Sequence, residues 1–195
     1  MLYGGPSPTL TIVASINPGT PGNTVVNNTV TVTSITPESD LSNNSDTEST
    51  LLIQPDITTT ITAEPNIMHG TTNFNLIIQV TELLYCCTYG TITVFLPKDS
   101  RWALNGPFDQ TATMIGNTPV NNAFWNYSAD ESYHIFTSDA PIDCGLSSTF
   151  GFHATWDAEY MTGKYTITAQ ILSWSGGECR IDNNVDAEKL DYFIE

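Results

Sequence analysis

Two stretches concentrate side chains able to do chemistry. In "TPESDLSNNSDTEST", residues 36–50, Glu38, Asp40, Asp46 and Glu48 surround Asn43 and Asn44. In "CRIDNNVDAEKLDYFIE", residues 179–195, Asp182, Asp186 and Glu188 flank Asn183 and Asn184. Carboxylate and amide oxygens are what a hard cation selects, since Ca²⁺ takes roughly six to eight of them. Two Ca²⁺ sites are therefore candidates, one from Asp40, Asn43, Asp46 and Glu48, the other from Asp182, Asn184 and Asp186. A polar turn is the plainer explanation, because Asn tolerates left-handed backbone and Asp bonds its own main chain. The spacing departs from that of an EF-hand loop, which favours the turn.

Other chemistry finds less support. His69, His134 and His153 are scattered and no Cys-x-x-Cys accompanies them, a poor set for the four converging ligands of zinc. There is no Gly-x-Ser-x-Gly elbow, no phosphate loop and no His-Glu-x-x-His helix. "SWSGGE" shares letters with serine-protease strings but has no assignable His and Asp partners. Asp139 and Asp143 would suit a glycosidase only if they converged. No catalytic residue is assigned, and a non-enzymatic protein is expected. The tryptophans could stack on sugar rings. Trp125 and Trp156 fall in strand patterns and are expected in a core; Trp102 and Trp174 border loops and are the candidate ligand contacts.

Cys86, Cys87, Cys144 and Cys179 permit three pairings. Adjacent residues on a strand point to opposite faces, so Cys86 and Cys87 are expected to take separate partners, Cys144 and Cys179, rather than each other. Four reduced thiols are the alternative.

Five Lys+Arg against 21 Asp+Glu give a net charge of −16, and no basic residue precedes Lys98. Phosphate recognition needs clustered cations, so nucleic acid is excluded as a partner. An anionic membrane surface would repel the chain, and no apolar run is long enough for insertion. "MLYGGPSPTL" lacks a basic start followed by an apolar stretch, so a secreted protein would carry this chain as a piece of something longer.

The elements that must position these residues are strands. "TLTIVASI" alternates through Leu10, Ile12, Ala14 and Ile16; "NPGTPGN" must turn; "TVVNNTVTVTS" sets Val26, Val30 and Val32 on one side, and "TESTLLI" follows. After the junction "QPD", period two recurs in "ITTTITA", "FNLIIQVTEL", "GTITVFLP", "AFWNY", "SYHIF", "TFGFHATW" and "GKYTITAQILS". Such segments, broken by Gly, Pro, Asn and Asp, indicate an all-β protein built of antiparallel β-sandwiches.

The run from Thr9 to Ile53, strand, Pro/Gly turn, "VNNTVTVTS", "SDLSNNSD" turn and last strand, resembles the C-terminal half of a DUF11-type Ig-like repeat of bacterial surface proteins. Residues 55–195, on "PNIMHGTTNFNLIIQVTEL", "GTITVFLP", "NNAFWNYS" and "SGGECRIDNNVDAEKLDYF", resemble the C-terminal β-domains that follow such repeats in gliding-associated adhesins of Bacteroidota. The "FTPNGDG" signature of a sorting domain is not seen. The resemblance implies a partial repeat over 1–54 and a larger sandwich over 55–195. It further implies a cell-surface adhesin or stalk fragment, exported by the type IX system and linked to gliding or attachment. Its partners would be other surface or secretion-system proteins, or surface polysaccharide. Loops around 98–130 and 139–147 are the expected binding face. A carbohydrate-binding domain, or a filament or export-complex subunit completed by strand addition, are the alternatives.

Overall fold

Alternating apolar and polar residues make a stable strand only where a second layer covers the apolar face. The computed structural model describes residues 9–16, 20, 22 and 24–194, and it divides into two units, Met1–Leu52 and Ile53–Glu195. The turn expected at 17–23 lies largely outside the described residues.

In the first unit β1 (Val25–Thr31) and β2 (Ser45–Leu51) form an antiparallel hairpin, with Val25 opposite Leu51 and Thr31 opposite Ser45. Every residue of both strands is exposed. The strand expected at 9–16 is not formed, and Leu10, Ile12 and Ile16 are exposed. Val26, Val30 and Val32 stay open as well. A two-stranded ribbon by itself offers no second layer, so among the described residues of this unit the period-two pattern is left exposed.

In the second unit the strands are β3 (Ile57–Glu64), β4 (Ile67–His69), β5 (Thr71–Glu82), β6 (Ile92–Pro97), β7 (Trp102–Leu104), β8 (Met114–Ile115), β9 (Thr118–Pro119), β10 (Asn126–Ala129), β11 (Tyr133–Ser138), β12 (Ser147–Asp157), β13 (Gly163–Ile171) and β14 (Val185–Phe193). One sheet runs β10-β11-β6-β13-β14-β4 and the other β3-β5-β12-β7, while β8 and β9 form a small separate hairpin. The pairings are antiparallel except β14 with β4, which is parallel. The alternation sets which face is buried: Ile57, Ile61 and Ala63 from β3 and Phe74, Leu76, Ile78 and Val80 from β5 meet Ile92, Val94 and Leu96 from β6. Phe136 stacks on Phe150 and Phe152 at 4.6 and 5.3 Å between ring centres, joining the two sheets. Fully burying one such ring contributes about 1.5–3 kcal/mol.

Two expectations about elements are corrected. "AFWNY" is a 3-10 turn over Asn122–Phe124 that lowers Trp125 into the core before β10 begins. "NNVDAEKLDYF", expected as a polar turn, holds a nine-residue strand, β14. It buries Leu190 and Tyr192 toward the core, but the same face continues through the half-buried Asp186 and Glu188, with Asp186 accepting Ile61 N–H, so charge on the inward face masked the period.

Candidate binding surfaces

Three loops of the second unit meet at one end: 83–91 between β5 and β6, 139–146 between β11 and β12, and 172–184 after β13. Cys87 and Cys144 are joined by a disulfide. Thr88 N–H donates to Ile142 O at 3.0 Å, and Ile142 N–H donates to Thr88 Oγ1 at 2.7 Å. Tyr89 N–H donates to Gly176 O at 2.9 Å, and Gly176 N–H to Thr91 O at 3.1 Å. Beneath them Glu82 is 1% exposed. It accepts Leu84 N–H at 2.8 Å and Gly145 N–H at 2.6 Å. Burial opposes its charge, but the Gly145, Leu84 and Cys86 N–H groups together hold its carboxyl below the usual range.

This frame presents three rings to solvent: Tyr85 (82% exposed), Tyr89 (59%) and Trp174 (66%). Tyr85 and Trp174 both sit in left-handed backbone, with φ of 57° and 69°. That conformation costs a bulky residue about 1–2 kcal/mol and persists where the surroundings enforce it. Glycines supply the room. A Cβ at Gly145 would lie 2.7 Å from the Tyr85 ring, and one at Gly177 would lie 2.3 Å from that of Tyr89.

A second surface is a groove of about 510 Å³ on the outer face of the four-stranded sheet. Thr60 and Thr62 of β3, Gln79 of β5 and Thr149 of β12 form its floor; Thr118 and Pro119 form a wall, and Glu64 stands at one side. The β8–β9 hairpin is seated by Ile115 and Val120 against Ile77. The next turn is fixed by the buried Asn122, whose amide donates to Asp109 O and Gly151 O at 2.9 Å each and accepts Gly151 N–H at 3.0 Å.

Several expected site residues are placed otherwise. Trp102 is 3% exposed on β7, its ring 4.7 Å from His134 and 6.5 Å from Phe152, so it is a core residue and not a ligand contact. Trp174 is exposed, as the ligand assignment requires. Cys87 has the partner Cys144, but Cys86 and Cys179 are free thiols, which corrects the expectation that all four are bridged. The Cys86 thiol is turned to Ile53 O at 3.6 Å, and burial, then the charge of Glu82, pushes its pKa up.

Neither proposed Ca²⁺ loop assembles. Among the described residues no three of His, Cys, Asp and Glu form a metal-ligand group. Asp40 accepts both the N–H and the hydroxyl of Ser42, at 2.9 and 2.6 Å, a self-contained turn. Asp46 and Glu48 lie within β2, and Asn43 stays in the turn before it. In the second stretch Asp182 pairs with Arg180 in solvent, and Asp186 Oδ2 accepts Ile61 N–H at 2.9 Å. Asn184 is buried against Glu178, so the three side chains serve three different partners.

Sequence reasoning missed Asp56 and Glu178, each 3% exposed. Burial, opposed by the Asn184 amide, raises the Glu178 carboxyl to about 7. Long-range folding alone makes these two neighbours, and no spacing announces it. Tyr85 and Tyr89 were also missed. "LLYCCTYG" gave a signal, an apolar run beside paired cysteines that could be neither a strand interior nor a polar turn.

No family model matches the chain, and no curated protein matches it. Solved structures similar to it include a CARDB domain from Pyrococcus furiosus in complex with di-metal ions. That domain is 17% identical with a TM-score of 0.45, over 75% of this chain and 100% of that one. BcpA, the major pilin subunit of Bacillus cereus, is 13% identical with a TM-score of 0.45, over 86% and 47%. A cohesin module of a family 33 glycoside hydrolase from Clostridium perfringens is 11% identical with a TM-score of 0.48, over 72% and 99%.

Proposed function

We propose that this chain is a non-enzymatic adhesive module displayed on a bacterial cell surface, an Ig-like stalk piece followed by a β-sandwich head that makes the contact. The observation that carries this reading is the set of Tyr85, Tyr89 and Trp174, solvent-exposed on loops held rigid by the Cys87–Cys144 disulfide and by Glu82. Rigid exposed rings bind at little entropic cost, whereas a catalytic site needs converging acid, base or nucleophile. A disulfide persists in an oxidising compartment, which fits display outside the cell. The resemblance of 9–53 to surface-protein repeats supports the same placement, and on it rests the finer proposal of type IX export with a role in gliding or attachment. Neutral surface polysaccharide is the ligand class that fits best. Aromatic faces stack on sugar rings, and the Thr- and Gln-lined groove offers neutral hydrogen-bonding groups.

The test is binding of the purified chain to a glycan array and to intact cells. Trp174→Ala, at an exposed position, is expected to weaken binding roughly 30-fold, the size of an aromatic hot spot. Trp174→Ala binding as well as the parent, or turnover of any bound polysaccharide, would sink the reading.

A second reading has its own observation. Among the described residues β1 and β2 pair with each other alone, and Val25, Val26 and Val30 are exposed. Such a hairpin invites an added strand from another chain, as in a filament or export complex.

A further inference from the structure

Buried carboxylates normally satisfy both oxygens. Glu82 does so through backbone N–H groups. Glu178 does not: its Oε1 accepts Asn184 Nδ2–H at 2.5 Å, and its Oε2 is buried without a hydrogen-bond partner. The Trp174 and Ile57 N–H groups face the same carboxyl without closing a bond to Oε2. Asn184 Oδ1 and Asn183 Oδ1 are likewise buried and unpartnered. The Asn183 amide instead donates to Asp56 Oδ1 at 2.8 Å. Asp56 Oδ2 has Arg180 Nη1 at 3.8 Å, a loose contact from a side chain committed to the exposed Asp182.

Two buried carboxylates thus stand beside two amides that have each spent an NH₂ on one of them, leaving three oxygens with no donor. A surplus of acceptors calls for donors or positive charge; a water molecule could donate to two of them but brings no charge, and Arg180 faces only Asp56, at 3.8 Å. A hard cation meets both needs, because carboxylate and amide oxygens are its ordinary ligands. We infer that Asp56, Glu178, Asn183 and Asn184 form a Ca²⁺-class cation site. It joins the entry to β3, the turn after β13 and the lead into β14. Those segments are already tied by Cys179 N–H to Pro55 O at 3.2 Å and by Thr58 Oγ1–H to Asn183 O at 2.9 Å. Two carboxylates rather than three or four imply a weak site, on the order of 10⁻⁴–10⁻³ M, suited to an extracellular module. Because the turn also carries Trp174, bound cation would stiffen the aromatic end.

The full chain is stripped with EDTA and titrated with Ca²⁺. At about 10 mM Ca²⁺ the melting temperature is expected to rise by about 3–8 °C. Glu178→Gln, which keeps the shape and removes the charge, should abolish that rise, whereas the exposed Asp182→Asn should keep it. Should Glu178→Gln fail to fold, NMR on the parent chain decides: the side-chain amide resonances of Asn183 and Asn184 are expected to shift along the titration. No change in melting temperature overturns the site. So does a response that survives Glu178→Gln, or amide shifts confined to other residues such as Asn43 and Asn44.

Discussion

His134 shows how burial sets protonation at a single residue. It is 7% exposed, its Nδ1 lies 2.9 Å from the Tyr127 hydroxyl, and its ring packs on Trp102. Burial, then the charge of Lys98, lowers its pKa to about 4. An unfolded histidine titrates near 6.5. Below that pH the unfolded chain takes a proton that the folded one refuses, so this residue costs stability as pH falls from about 6.5 to about 4 and is without effect above. The cost reaches on the order of 3 kcal/mol. Glu178 runs the other way. Its raised carboxyl adds stability that is complete below its unfolded value and lost as pH rises through about 7. The two slopes overlap, so the informative quantity is the difference in unfolding free energy between the parent and His134→Gln, with EDTA present. That difference should change across pH 6.5 to 4 by roughly the amount stated and stay constant from pH 7 to 8. A flat difference across the acid range would show that His134 is protonated in the folded state.

At the scale of elements, the loops at the aromatic end are organised by one covalent link and the strands by alternation. The Cys87–Cys144 bridge closes a separation of 57 residues. Its removal by Cys87→Ser with Cys144→Ser is expected to cost about 4 kcal/mol, read by urea unfolding. Replacing the free thiols instead, Cys86→Ser with Cys179→Ser, should cost less than about 1 kcal/mol. Equal losses would mean that the stabilising link is not the one between loops 83–91 and 139–146. Arg101 plays a corresponding role on another face. It pairs with Asp99 at 2.7 Å and stands 4.5 Å over the Tyr165 ring and 5.7 Å over that of Trp156. One of the five basic residues is thereby spent on holding β7 to β13, and it is not offered to a ligand.

For the whole molecule, a charge of −16 is set against exposed valines on a hairpin that, among the described residues, pairs with no further strand. Like-charge repulsion acts over roughly 30 Å at 0.01 M salt and roughly 8 Å at 0.15 M, whereas strand pairing is short-ranged. If strand addition operates, the weight-average mass by light scattering should rise with protein concentration at about 0.15 M salt, and much less at about 0.01 M. Val26→Lys with Val30→Lys should abolish the rise. A monomer at both salts would remove that reading and leave the adhesive head.

The sequence by itself determined the all-β class and the buried stripes of β3, β5, β6 and β12, because side-chain direction in a strand follows from chain position alone. Ile57, Leu76, Val94 and Phe150 could be assigned to the core before any pairing was known. The acidic composition likewise bears on partners without a fold, since phosphate recognition needs clustered cations. Tertiary structure decided what depends on a second layer or on distant partners. It buried Trp102 and exposed Trp174, and it found no cover for the alternating residues 9–16. It also drew Asp182, Asn184 and Asp186 to separate partners. Asp56 beside Glu178 belongs with these, since burial and convergence are properties of packed sheets, and a one-dimensional pattern carries no record of which loops meet.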